Sequence, residues 1–101
     1  MRFARNVHFQ IKSGKEQEFK TLFETKVVPM LRKEKGFLDE LTLVNKDGAL
    51  GISIWQDRKN AETYQSSTYP KVVETLQPVL VGTPRLETYE VSVTTLEFAT
   101  A

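Results

Sequence analysis

The segment Gly51-Ile52-Ser53-Ile54-Trp55-Gln56-Asp57-Arg58-Lys59-Asn60-Ala61-Glu62-Thr63-Tyr64 couples two kinds of local structure. Its first half is a β-like run that ends at Trp55, the only tryptophan. From Asp57 on it turns polar and helix-prone, and the Asp57 carboxylate can cap a helix from Arg58 to about Ser66. Backwards from Trp55 the strand reaches about Leu50. There Asn45-Lys46-Asp47-Gly48 supplies hairpin chemistry, with Gly48 able to take a left-handed conformation. A preceding strand fills Phe37 to Val44, with Leu41 and Leu43 on one face and Thr42 and Val44 on the other. Forwards from Tyr64, Tyr69-Pro70 breaks and restarts the helix. Val72, Val73, Leu76, Val79 and Leu80 then form an apolar stripe. Pro78 disturbs its last turn, and Gly82 with Pro84 ends it. Leu86 to about Leu96 alternates as a final strand, Tyr89, Val91 and Val93 facing one way and Thr88, Glu90, Ser92 and Thr94 the other. The tail Ala99-Thr100-Ala101 is expected to fray.

The N-terminal part supplies one strand and one helix. Val7, Phe9 and Ile11 alternate with Asn6, His8 and Gln10, the period of a half-buried strand. Ser13-Gly14-Lys15-Glu16 fits a capping box. Phe19, Leu22, Phe23, Val27, Met30 and Leu31 follow at helical spacing. Pro29 falls inside that stripe and predicts a kink or local irregularity. Gly36 is placed to close the helix.

Composition narrows the class. The chain has 101 residues, 40% of them apolar and 27% charged, which suits a single globular domain over residues 1–101. A formal net charge of +1 offers no electrostatic footprint for nucleic acid or an anionic membrane. No cysteine is present, so disulfides, thiol nucleophiles and thiolate metal sites are all excluded. No apolar run approaches the roughly 20 residues of a membrane span. Arg2, Arg5, Asn6 and His8 interrupt any signal-peptide centre, and the expected location is cytoplasmic.

The order β-α-β-β-α-β is the ferredoxin-like arrangement, an α+β fold with helices on one face of an antiparallel sheet. The second face is then expected to carry Asn6, His8, Gln10, Thr42, Val44, Glu90, Ser92 and Thr94. That mixed surface is compatible with a dimer contact. His8, the lone histidine, can serve as a base or metal ligand, or as a polar interface residue. Trp55 can stack on an aromatic ligand or simply pack. Arg85 can bind an anionic or phenolate group, or stand as a solvated arginine. Glu74 becomes a base only if buried.

Phe9-x-x-x-x-Gly14-Lys15-x-x-x-Phe19, then Val28-Pro29-x-Leu31, Gly36-Phe37 and Ile54-Trp55-x-x-x-x-x-Ala61, occur in this order. Together they resemble the antibiotic biosynthesis monooxygenase (ABM) family of the dimeric α/β-barrel superfamily, from about Val7 to about Thr94. The resemblance implies a homodimer whose two sheets face each other, with a small-molecule pocket in each subunit between sheet and helices. It also implies, for the best known members, oxidation of electron-rich polycyclic aromatics by O₂ without metal or flavin. Other members degrade haem.

Where many ABM sequences carry histidines after the tryptophan, this chain has Tyr64, then Ser67, Thr68 and Tyr69. A phenol with a pKa of about 10 can donate a hydrogen bond but is a poor base near neutrality. Glu74 falls where haem-degrading relatives place an iron ligand. Their pocket asparagine falls at Val7, with Asn6 turned to the opposite face. Haem is therefore disfavoured as a cofactor, and the resemblance to the cofactor-free members disfavours flavin as well. The resemblance implies a cofactor-independent monooxygenase acting on an electron-rich aromatic or quinol-like molecule. Tyr64 and Tyr69 are its catalytic candidates, and Trp55, Arg85 and Glu74 are candidates for substrate binding. The alternative is a non-catalytic dimeric ligand-binding or stress-associated domain on the same scaffold, a reading the missing histidines favour.

Overall fold

A computed structural model of the protein describes residues 1–97. The tail Ala99-Thr100-Ala101 lies outside them. Strand β1 (Phe3–Phe9) leads into a helical run of α1 (Glu16–Leu22), a π-helical turn (Phe23–Val27) and α2 (Val28–Arg32). Strands β2 (Phe37–Asn45) and β3 (Gly48–Trp55) form a hairpin. Then come α3 (Arg58–Ser67), α4 (Tyr69–Leu76), a 3₁₀ turn (Gln77–Val79) and β4 (Arg85–Glu90). The four strands make one antiparallel sheet in the order β2-β3-β1-β4. The helices cover one of its faces, as the ferredoxin-like reading requires.

Local chemistry accounts for most element ends. Asp57 Oδ1 accepts from the Asn60 amide at 2.9 Å and caps α3. Pro29 has no N–H for the carbonyl four residues back, and the wider π turn just before it absorbs the missing bond. Pro78 sits in the 3₁₀ turn that ends the second helical region. The capping box does not form: Lys15 is the N-cap, and no side chain caps α1. The Lys12 amide is held by the Val79 carbonyl at 2.8 Å, and the Lys15 amide turns back to the Lys12 carbonyl at 3.0 Å. The helix therefore starts too late for the Ser13 hydroxyl to reach its free amides.

The sheet faces also depart from the alternation read in the sequence. Phe37 and Asp39 pair with Trp55 and Ile54, so one extra β2 residue is inserted there. Such a bulge flips the parity of everything after it. Glu40, Thr42 and Val44 lie opposite Ser53, Gly51 and Ala49 and face the helices, while Leu41 and Leu43 point outward and are exposed. The expectation of Thr42 and Val44 on the outer face is thereby corrected. So is that of Glu90: it pairs with Phe3 and shares the helix face, whereas Tyr89 is on the outer one. β4 ends at Glu90, so Ser92 and Thr94 belong to no strand. The Val91 amide still bonds the Arg2 carbonyl, but β1 begins at Phe3, and the chain beyond runs past the sheet.

The core lies between the sheet and the helices. Phe9, Phe19 and Phe23 pack with ring centroids 5.4, 5.7 and 6.3 Å apart. From α4 and the 3₁₀ turn, Val72, Leu76 and Val79 complete it. Gly48 ties the hairpin to β1. Its φ is +141°, and a Cβ there would stand 2.4 Å from the Phe9 carbonyl oxygen, a backbone atom that cannot swing away. We expect Gly48→Ala to destabilise the protein by about 2 kcal/mol or more. Thermal melts compare the two chains, and an unchanged midpoint would show that the hairpin does not depend on this approach.

Candidate functional site

The first layer of the site is a row of rings. Capping by Asp57 starts α3 so that Ala61 and Tyr64, three residues apart, both turn inward. The break at Thr68 redirects the chain, and Tyr69 opens α4 pointing into the same space. Phe37 packs edge-on to Trp55 at 5.6 Å, Trp55 lies 4.8 Å from Tyr64, and Tyr64 lies 5.9 Å from Tyr69. Trp55 is fully buried and donates from Nε1 to Ser53 Oγ at 2.9 Å. It braces Tyr64 and does not itself line the internal cavity.

The second layer is charged. Arg5, on β1, is only 3% exposed. Its guanidinium carbon lies 4.9 Å from the Tyr64 ring centroid and 4.5 Å from that of Tyr69. It also donates a hydrogen bond to Gln65 Oε1 on α3. Burial lowers the Arg5 pKa, opposed by Tyr64, Tyr69 and Glu40. Across the sheet, Glu40 Oε2 accepts from Thr42 Oγ1 at 2.7 Å. Loss of water pushes the Glu40 carboxyl up to about 8, against the opposing pull of Thr42 and Arg5. Ser53 lies between them on β3, and the next residue on the same face, residue 51, is a glycine: a Cβ there would come within 3.2 Å of the Phe9 ring and 3.4 Å of Glu40 Oε2. Burial raises both tyrosine pKa values, with Arg5 opposing, so both phenols stay protonated near neutral pH and keep a proton to donate.

Two spaces meet at Glu40. An internal cavity of about 20 Å³ is bounded by Arg5, Glu40, Ser53, Tyr64 and Tyr69 among others. That is room for about one water, since a single probe sphere occupies roughly 10–15 Å³. Outside it, a groove of about 940 Å³ opens between the α1–α2 run and β2, walled by Phe19, Phe23, Val28, Phe37 and Val44. Glu40 and Phe23 line both spaces. The groove matches the roughly 300–1,000 Å³ of small-molecule sites; the inner cavity alone does not.

The structure brings Tyr64 and Tyr69 together, with Trp55 behind Tyr64. Glu74 is exposed on α4, and Arg85 is exposed on β4 beside Glu87, 3.9 Å away. Neither lines the inner cavity or the groove. His8 is on the outer sheet face with its Nε2 3.0 Å from Glu87 Oε1. Asn6 shares that outer face, and Val7 lines the inner cavity. Among the described residues no group of three His, Cys, Asp or Glu side chains could hold a metal ion. No described helix is long and apolar enough to cross a membrane.

Sequence reasoning missed Arg5, Glu40 and Gln65. Arg5 carried a signal, because it is in phase with Val7 and Phe9 on the buried face. Glu40 carried none, because the bulge that turns it inward is invisible in the alternation.

A family model described as Antibiotic biosynthesis monooxygenase matches residues 2–72. No curated protein matches the chain significantly in sequence. Among solved structures, SnoaB, a cofactor-independent oxygenase from Streptomyces nogalater, superposes with a TM-score of 0.76 at 16% identity, covering 95% of this chain and 98% of that one. A monooxygenase from the gene ActVA-Orf6 of Streptomyces coelicolor, in complex with the ligand Nanaomycin D, gives 0.75 at 19%, covering 94% and 91%. A protein of unknown function from Nitrosomonas europaea, NE2512, gives 0.79 at 16%, covering 95% and 94%. At these identities the likeness concerns the fold.

Proposed function

Because this chain belongs to the antibiotic biosynthesis monooxygenase family, we propose that it oxidises an electron-rich aromatic or quinol-like molecule with O₂ and without metal, haem or flavin. The observation that carries this reading is the buried Arg5 guanidinium, stacked on Tyr64 and Tyr69 behind an aromatic groove. With no cofactor the substrate supplies the electrons, and it does so most readily as an anion. A fixed cation shielded from water stabilises such an anion far better than water-exposed charge does. The groove holds the aromatic body, Tyr64 and Tyr69 donate hydrogen bonds, and Trp55 fixes the Tyr64 ring. Arg85 and Glu74 have no part in this site.

Oxygen uptake with a naphthohydroquinone, and mass spectrometry of the product made under isotopically labelled O₂, test this reading. We expect label in the product and uptake above the uncatalysed rate. Tyr64→Phe should lower turnover by about tenfold, the effect of one lost donor; equal kinetics would remove Tyr64 from the chemistry. The inner cavity of about 20 Å³ and the absence of both family histidines favour a second reading, a non-catalytic binding or stress-associated domain. Sustained product formation decides against it.

The working unit in this proposal is a homodimer joined through the outer sheet face, where Leu43 is 52% and Tyr89 50% exposed and Leu41 also stands free. Leu41→Glu with Leu43→Glu places charge along the β2 edge of that face. We expect the doubly substituted protein to elute as a monomer in light-scattering chromatography. A dimer that survives both changes would move the interface elsewhere.

A further inference from the structure

Glu40 is the one acidic group placed where the outer groove and the inner cavity meet. Its surroundings are built for an ionisable role. Thr42 Oγ1 donates to Oε2, and Oε1 receives no hydrogen bond from the described residues. No buried polar side-chain atom among those residues is left unpartnered, so Oε1 is not sealed from solvent. Gly51 leaves the carboxylate room to lie against the sheet. Phe19, Phe23, Val28, Phe37 and Val44 give the groove its apolar surface, and Lys20, Glu24, Arg32 and Asp39 share its lining, while only Glu40 and Phe23 also border the inner cavity.

We propose that Glu40 accepts the proton that a hydroxylated aromatic ligand gives up when it lies in the groove between the α1–α2 run and β2. In this step the ligand O–H bond breaks, a bond from hydrogen to Glu40 Oε1 forms, and the electron pair stays on the ligand oxygen. The negative charge passes from carboxylate to phenolate, so the net charge near Arg5 is unchanged. Once Glu40 is ionised, a carboxylate or phosphate ligand is disfavoured there, because Glu40 then repels it and has no proton to take. The proposal names the base for the oxygenase reading and rests on it for its purpose, though proton transfer itself needs no turnover. The Tyr64 and Tyr69 phenols do not compete as bases, since burial keeps their protons on. A carboxyl held at about 8 titrates near neutrality, where a general base works best.

Other charges face this position from each element. Arg5 approaches from β1, Tyr64 from α3 and Tyr69 from α4. Lys20, Glu24 and Arg32 stand along the groove from the helical run, and Asp39 from β2. Glu34 acts on Tyr64 from the loop after α2. Of these, Arg5 biases Glu40 itself toward its ionised form, and the Thr42 hydrogen bond adds to it.

The probe is 2-naphthol, whose excited state is a strong acid and whose emission shifts when the proton leaves to a nearby acceptor. Excited beyond the tryptophan band, naphthol bound to the wild-type protein should emit from naphtholate above about pH 8 and from the neutral form near pH 6, following Glu40. Glu40→Gln should bind naphthol within about threefold of wild type but lose most of the naphtholate band at every pH in that range. Thr42→Val, which removes one hydrogen bond and keeps the carboxylate, should move the midpoint upward and so tests the idea even if Glu40→Gln folds poorly. Naphtholate emission from Glu40→Gln equal to wild type would overturn the proposal. So would bound wild-type naphthol that never shifts, an unmoved Thr42→Val midpoint, or no saturable binding. Product formation with the hydroquinone is scored separately, so a failed oxygenase reading leaves this proton transfer to stand or fall by fluorescence.

Discussion

Replacing Glu40 with glutamine is expected to make the folded protein more stable than wild type at about pH 8, while the two chains stay nearly equal near pH 4. The folded state holds the Glu40 proton up to about 8, against an ordinary value of 4.5. Between those values the native protein binds more protons than the unfolded chain, so stability falls as pH rises. The stabilising contribution is complete below about pH 4.5 and is lost as pH rises through about 8. Glutamine keeps the shape and the hydrogen-bonding capacity but cannot ionise, so the difference curve isolates this one group. A tenfold difference in proton affinity between folded and unfolded chain is worth about 1.4 kcal/mol, and partial solvent access at the groove reduces the sum. We expect an advantage on the order of 2 kcal/mol at the alkaline end, read from denaturant melts at a series of pH values. A flat difference curve would mean that Glu40 is solvated like a surface carboxylate, and the site would lose its acidic member.

How far the sequence foretold this site depends on what kind of signal each residue left. The helical stripes carry redundant information, because six or so apolar residues repeat one spacing. The α-helical run, its irregularity at Pro29 and the Asp57 cap were all legible for that reason. Strand parity has no such redundancy. A single inserted residue near Leu38 exchanges the two faces of β2, and Leu41 and Leu43 mimic a buried row although they are exposed. Tyr64 and Tyr69 were singled out by the resemblance, because they fall where many family members carry histidines, and the row they form with Trp55 is seen only in three dimensions. Arg5 was legible in principle as a charge in phase with Val7 and Phe9, yet a strand's first residues often lie outside the sheet. Glu40 and Gln65 acquire their roles only when β1, β2 and α3 meet, a three-dimensional fact without a local pattern. The edge strand β4 was overextended because alternation continues past Glu90, whereas its partner β1 has already ended.

Arg5→Met should reduce turnover of a naphthohydroquinone by about 10² to 10³, as deletion of one preorganised charge donor in a shielded site does elsewhere. Methionine roughly fills the space and keeps an apolar stem against Tyr64 and Tyr69, so loss of packing is small. What disappears is the only cation bordering the inner cavity among its lining residues. Two further consequences distinguish this electrostatic role from a structural one. Arg5 pulls the Glu40 carboxyl downward, so its removal should move the acidic, rising limb of the pH–rate profile to higher pH. It also lowers the Tyr64 and Tyr69 values, so both phenols become still harder to ionise. Arg5→Lys retains charge but not the flat guanidinium that stacks on two rings while bonding Gln65, and it should recover only part of the rate. Steady-state kinetics of the three proteins, with melting temperatures measured alongside, give the comparison. If Arg5→Met turns over within about threefold of wild type, the developing charge is stabilised elsewhere and the aromatic groove loses its claim as the place of reaction.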